Sequence, residues 1–182
     1  MDEKEDRRIA QWYNALSNSY DELYSREQLQ KHNTVLQFLG NKKFKTLVDI
    51  GCGTGMFLRA AEQHYEYAVG IDLSIEMLKA VDNGVSRKRD LIVASSRSIP
   101  IRDKTVDCLV SVSTLVSDSN LFQTIDEVTR VCRTNADVIV SVFRRENDRI
   151  PTLLGASRQS FKISDRETLY CLRLEHPQNA SR

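Results

Sequence analysis

Three glycines spaced two apart, Gly51, Gly53 and Gly55, follow the apolar residues Leu47, Val48 and Ile50. Asp49 lies among those apolar residues, and Cys52 and Thr54 stand between the glycines. Glycine has no Cβ, so a strand running into such a loop brings backbone N–H groups close to a ligand. Seventeen residues beyond Gly55 comes Asp72, at the end of the apolar run Tyr67-Ala68-Val69-Gly70-Ile71. A carboxylate there can accept from the two cis hydroxyls of a ribose, both of which donate. The competing role for Asp72 is to cap the next helix, but Ser74 is better placed for that. The dinucleotide fingerprint of dehydrogenases puts its third glycine three residues after its second. Here the step is two, so the loop is tighter and a dehydrogenase is disfavoured.

The elements that must position these residues follow from periodicity. Ile9, Trp12, Tyr13, Leu16, Tyr20, Leu23 and Tyr24 recur at helical steps, and a second helical stretch carries Leu29, His32, Val35, Leu36 and Leu39 up to Gly40. After the glycine loop, Phe57, Leu58, Ala61 and Tyr65 mark one face of a helix. Strands are expected at Tyr67–Asp72, Asp90–Ala94, Cys108–Val112 and Asp137–Phe143, with helices at Ile75–Val81 and along the stripe Leu121, Ile125, Val128 and Cys132. Asn135 is expected in the left-handed region of the turn before the fifth strand. Ser160–Ile163 and Thr168–Leu174 read as sixth and seventh strands, with a shortened helix around Ile150–Ser157. Strand and helix alternate, which implies an α/β three-layer α/β/α sandwich with a mostly parallel sheet.

The stretch Val48–Gly55 resembles motif I of the class I S-adenosylmethionine (SAM)-dependent methyltransferases, hydrophobic-Asp-hydrophobic-Gly-x-Gly-x-Gly, across eight residues without a gap. Trp12-Tyr13-Asn14 and Tyr20-Asp21 are similar to the aromatic-plus-Asp pairs ahead of motif I in the ubiquinone/menaquinone-type small-molecule enzymes. The resemblance covers about residues 12–143. It implies a Rossmann-like seven-stranded sheet with an antiparallel last strand, and a single domain over residues 1–182. Within that domain, residues 1–43 would form a helical lid, 44–143 the cofactor-binding core and 144–182 the edge strands. The implied cofactor is SAM, with S-adenosylhomocysteine (SAH) as product. Cofactor contacts would come from Asp49, the loop Gly51–Gly55 and Asp72, from Leu73 and Met77 at the adenine, and from Ser95, Ser96 and Ser111. Tyr13 or Tyr20 either reaches the SAM carboxylate or simply packs. Ser95 stands where the family has an aspartate that accepts from the adenine amino group, and a serine accepts without the charge. Weaker SAM binding is therefore expected.

The implied activity is methyl transfer to an unidentified acceptor, most simply a small molecule docked near Ser111–Leu115. Tyr20, Asp21 and Asp118 are the candidate proton acceptors or acceptor-orienting groups. Two alternatives stay open: a SAM-binding subunit without turnover of its own, and an enzyme for a macromolecule (a protein or a tRNA) that needs a small protein partner. Arg144, Arg145 and Arg149 after the fifth strand are either a solvated loop or a dock for an anionic acceptor. Neither Asn-Pro-Pro-Tyr nor Pro-Cys follows the fourth strand, which counts against adenine, glutamine and cytosine C5 methylation.

Composition narrows the field further. A formal net charge of +1 gives no field for nonspecific nucleic-acid binding, and the basic run Arg87-Lys88-Arg89 reads as solvated surface. The cysteines Cys52, Cys108, Cys132 and Cys171 form no C-x-x-C, and the histidines lie far apart, so no metal site is expected. No apolar run reaches the ~20 residues of a membrane span and the acidic start is no signal peptide, so a cytoplasmic location is expected.

Overall fold

The computed structural model describes residues 2–81, 88–115, 118–143, 154, 156–164 and 167–174. Its centre is a seven-stranded sheet. The strands are β1 (Phe44–Ile50), β2 (Tyr65–Asp72), β3 (Arg89–Val93), β4 (Val106–Leu115), β5 (Cys132–Phe143), β6 (Ala156–Lys162) and β7 (Glu167–Leu174), in the order β3-β2-β1-β4-β5-β7-β6. β1 to β5 pair in parallel, and β7 runs antiparallel to both β5 and β6. The helices are α1 (Asp2–Leu39), α2 (Met56–Ala60), α3 (Ile75–Ala80) and α4 (Asp118–Val131).

Side-chain alternation in the strands divides the core into two layers. Val48 and Ile50 of β1, Leu109 of β4 and Val138 and Val140 of β5 pack under Leu121, Ile125 and Val128 of α4. On the other face Leu47, Ala68, Cys108, Val110 and Ile139 pack under Val35 and Leu39 of α1, Phe57 and Leu58 of α2 and Leu78 of α3. Parallel strands β1, β2 and β4 therefore end at one edge of the sheet, where strand order reverses between β1 and β4. Open α/β sheets bind ligands at such an edge.

Several boundaries differ from the periodic reading. α1 is one unbroken helix of 38 residues, about 57 Å long at 1.5 Å per residue. Nothing between its two apolar stretches breaks it, since residues 25–28 are all ordinary helix formers. It ends where Gly40 takes a φ of 57° and donates back to the Leu36 carbonyl at 3.0 Å. Tyr65 opens β2 instead of closing a helix, and its hydroxyl donates to the Leu58 carbonyl at 2.8 Å. Cys132 likewise opens β5 instead of ending α4. Asn135 has a φ of 65°, in the left-handed region. β6 already begins at Ala156, where the end of a short helix was expected, while residues 150–153 and 155 lie outside the described residues.

Candidate functional site

The loop after β1 is built by its glycines. Gly51, Gly53 and Gly55 have φ values of 72°, 52° and 74°. Gly51 is the most constrained of them, because a Cβ there would lie 2.1 Å from Thr114 Oγ1 of β4. The loop's floor is tied to β2: the amides of Gly51 and Cys52 both donate to the Ile71 carbonyl, at 2.7 and 3.1 Å. Asp72 closes the same corner. Its Oδ2 accepts from the Gly53 amide at 2.9 Å and its Oδ1 from the Ser74 amide at 2.8 Å. Burial raises the Asp72 carboxyl pKa above its ordinary value, while backbone N–H groups of Ser74, Gly53 and Leu73 pull the other way. The Gly53 and Ser74 bonds take two of its lone-pair sites, the Leu73 amide bears on the same group, and a carboxylate has about four. Ser74 takes the capping role, accepting from the Met77 amide at 3.1 Å.

A cavity of about 400 Å³ opens over this corner, within the roughly 300–1,000 Å³ range of small-molecule sites. Tyr13, Tyr20, Gly51, Gly53, Asp72 and Leu73 line it, and so do Met77, Ser95 and Ser96. Nine of the anticipated residues thus line one cavity. Asp21, Asp49, Cys52, Thr54, Gly55 and Ser111 do not line it. Thr54 is buried and donates from Oγ1 to Asp21 Oδ1 at 2.6 Å. Asp21, anticipated as a proton acceptor, is therefore committed to the loop, with Arg59 Nη2 3.9 Å from its other oxygen. Cys52 is buried with its sulfur turned toward Gly70, and Gly55 caps α2. Ser111, expected at the ligand edge, is fully buried one residue short of it, and its Oγ has no partner among the described residues. Val112, Ser113 and Thr114, from the stretch Ser111–Leu115 expected at that edge, do line the cavity. The β4 strand runs to Leu115, so its carboxyl end falls later than the apolar run indicated.

Asp49 is buried beneath the loop with Oδ2 unpartnered among the described residues. Burial, assisted by the nearby Asp72 charge, pushes its carboxyl from 3.8 to about 8. The buried site thus favours the neutral form of Asp49, which does not line the cavity. Asp118 is the first residue of α4. Arg144, Arg145 and Arg149 lie outside the described residues.

α1 crosses the cavity mouth and is pinned at three points. Asp6 pairs with Arg97 at 2.5 Å, the Asn14 side-chain oxygen accepts from Ser74 Oγ at 2.6 Å, and Asp21 holds Thr54. The rings of Tyr13 and Tyr20 lie 6.2 Å apart over the loop. Burial, then neighbouring charge, raises both phenols above their ordinary 10. Both phenols therefore stay protonated at neutral pH and can donate hydrogen bonds.

Behind the β4 end of the cavity lies a buried ion pair. Lys31, its side chain 3% exposed, places Nζ 2.8 Å from Ser113 Oγ, 2.7 Å from Glu167 and 2.7 Å from Glu27. Glu167 is 1% exposed, and its Oε1 accepts from Ser113 Oγ at 3.0 Å and from the Ser141 hydroxyl. Ser113 itself has a φ of 59°. Neither Lys31 nor Glu167 stood out in the sequence; partners 136 residues apart leave no local signal.

A mostly parallel sheet with a glycine turn after β1, an acid at the end of β2 and a reversal of strand order between β1 and β4 defines a Rossmann-like methyltransferase fold. The methyltransferase domain family matches residues 48–140, and the chain belongs to that family, the class I enzymes whose methyl donor is SAM. It is 31% identical over 137 residues to an uncharacterised protein of Methanocaldococcus jannaschii, covering 74% of this chain and 51% of that one. It is 30% identical over 135 residues to the malonyl-[acyl-carrier protein] O-methyltransferase of Hamiltonella defensa, covering 73% of this chain and 51% of that protein. The chain spans about half the length of these curated relatives. Its fold is similar to that of a Haloferax volcanii methyltransferase solved in complex with the methyltransferase activator Trm112. The TM-score there is 0.79 at 15% identity, with 90% of this chain and 98% of that one covered. No helix among the described residues is long and apolar enough to cross a membrane.

Proposed function

We propose that this chain binds SAM in the cavity over the β1 and β2 ends and transfers its methyl group to a small-molecule acceptor. The observation that carries this reading is the Gly53 backbone beside Asp72: a cavity-lining glycine over which open space stands, next to a carboxylate with acceptor sites to spare. The amino-acid end of the donor lies against the loop, where Tyr13 and Tyr20 offer phenol donors to its carboxylate. The ribose hydroxyls donate to Asp72, and the base lies between Leu73 and Met77 on one side and Ser95 on the other. In the reaction an acceptor lone pair bonds to the methyl carbon as the carbon–sulfur bond breaks, and the electron pair stays on sulfur to leave SAH. The protein's own part is alignment and exclusion of water, which α1 provides as a lid of residues 1–43 over the 44–143 core. Val112, Ser113 and Thr114 then form the floor for the acceptor.

Isothermal titration with SAH tests the cofactor. Incubation with methyl-labelled SAM and fractionated lysate tests the acceptor class. Heat with SAH and label in small molecules is the expected result; no heat with either SAM or SAH overturns the reading. A second reading is a partner-dependent enzyme acting on a protein or a tRNA. The Haloferax volcanii relative in fold, solved with an activator bound, favours it. Label that enters macromolecules only after a small activator protein is added would select it.

A further inference from the structure

Resting on the SAM reading, the geometry points to a purine-reading carboxylate carried by the lid instead of the sheet: Asp6, in the second turn of α1. An exocyclic amine on a base donates hydrogen bonds and needs an acceptor facing it. At the far end of the cavity from the glycine loop, the residues after β3 are Ala94, Ser95 and Ser96, which carry no charge. Besides Asp72, the acidic residues lining the cavity are Glu5 and Asp6, both from α1.

Asp6 is held in place by an arginine. Arg97 Nη2 lies 2.5 Å from its Oδ2, with the two side chains 9% and 21% exposed. The same guanidinium donates from Nε to Ser95 Oγ at 3.4 Å. Ser95, Arg97 and Asp6 thus form a chain across the mouth, and the arginine fixes the carboxylate beside the serine. One oxygen of Asp6 is engaged by Arg97, and lone pairs remain for a donor in the cavity. The ion pair also neutralises the arginine, which would otherwise set a bare positive charge against the hydrogens of the amine. A carboxylate here discriminates as well as binds. Opposite a 6-oxo purine it would face a carbonyl oxygen, acceptor against acceptor, and the pairing would fail. The base then helps hold α1 down, so recognition of the purine and closure of the lid become one event.

The test is titration calorimetry of wild type, Asp6→Asn and Glu5→Gln with two ligands: SAH, and S-inosylhomocysteine, in which oxygen replaces the amine. Far-UV circular dichroism and thermal melts establish that each variant is folded. Wild type is expected to prefer SAH by about tenfold or more, the scale of one charge-assisted hydrogen bond. In Asp6→Asn that preference falls toward one, because an amide can donate to the 6-oxo group, while Glu5→Gln retains the wild-type ratio. An unchanged ratio in Asp6→Asn, or a loss confined to Glu5→Gln, overturns the assignment while leaving the SAM reading intact. Absence of heat with both ligands in wild type overturns the SAM reading and this inference with it.

Discussion

The two ends of the cavity are built by different means. At the β1–β2 end the binding surface is backbone: amides of Gly51, Gly53 and Ser74 and left-handed turns, with one carboxylate tied into them. At the β4 end Ser113 lines the cavity and is backed by buried side chains behind the wall: Lys31 from α1, Ser141 from β5 and Glu167 from β7, joined to it by hydrogen bonds and an ion pair in the protein interior. A backbone site costs little to desolvate and depends on a few residues close in sequence. An ionic site depends on every partner at once, since each buried charge is tolerable only while it is paired.

Breaking one partner of the ionic end should therefore have the largest effect. Lys31→Met leaves Glu167 buried without its cation, with only serine hydroxyls donating to it, and should cost about 3–5 kcal/mol in urea unfolding. The double variant Lys31→Met/Glu167→Gln removes both charges and should recover most of that loss. If the single and double variants are equally unstable, the two ends are not built as differently as the geometry indicates. Next in size is the backbone end. Gly51→Ala pushes a Cβ into Thr114 and forces alanine to a φ of 72°, a strain on the order of 1–3 kcal/mol. SAH binding should be lost with it. Adding Thr114→Ala relieves the clash but not the backbone, so partial recovery of stability would apportion the two.

The same contrast explains what could be read from the residues alone. Motif I and Asp72 were legible because the loop's chemistry lies within about one βαβ unit, and only glycine tolerates the positive φ that its turns require. The alternation of Val48 and Ile50 against Leu47 likewise announced which side chains would face each layer. Asn14 at Ser74, Asp6 at Arg97 and Lys31 at Glu167 were not legible. Each pairs a helix residue with a partner far along the chain, and a polar residue on a helix otherwise reads as solvated surface. Asp21 was read as a proton acceptor because its motif puts it near the loop. It is near the loop, but Thr54 takes its oxygen. Ser111 was placed at the ligand edge because the apolar run of β4 fades there, whereas hydrogen bonding carries the strand on to Leu115.

Two buried titratable groups sharpen the comparison through pH. Asp49, under the backbone end, has its carboxyl raised from 3.8 to about 8, chiefly by burial. A raised carboxyl contributes stability that is fully present below about pH 3.8 and is lost as pH rises toward 8. His32, on α1 against Phe57, has its imidazole lowered from 6.5 to about 4, again chiefly by burial. A neutral buried histidine contributes the opposite slope, with stability present above 6.5 and lost as pH falls toward 4. Between those limits the two slopes oppose, and above pH 6.5 that of Asp49 acts alone. Asp49→Asn should therefore gain on wild type between pH 7 and pH 8, by on the order of 1 kcal/mol per pH unit. His32→Gln should hold its stability better than wild type from pH 6 to pH 4. A melt series in which Asp49→Asn tracks wild type at every pH would show that the carboxyl is not held neutral.

The smallest effect belongs to the joint between lid and loop. Thr54→Val keeps the volume of the side chain and removes the hydroxyl that donates to Asp21. Asp21 is half exposed, so water can take over as donor, and the cost should be about 1 kcal/mol or less. Location matters more than size here. If α1 is a lid pinned at Asp6, Asn14 and Asp21, loss of one pin raises the population of local opening without affecting global unfolding. Amide exchange in the Tyr13–Tyr24 segment should then quicken several-fold while β1 and β4 amides exchange as in wild type. Saturating SAH should abolish the difference, because a ligand that binds only the closed form restores the closed population. Exchange that quickens equally in α1 and in the central strands would mean that the helix opens only when the whole sheet does. It would then be a fixed wall and not a lid.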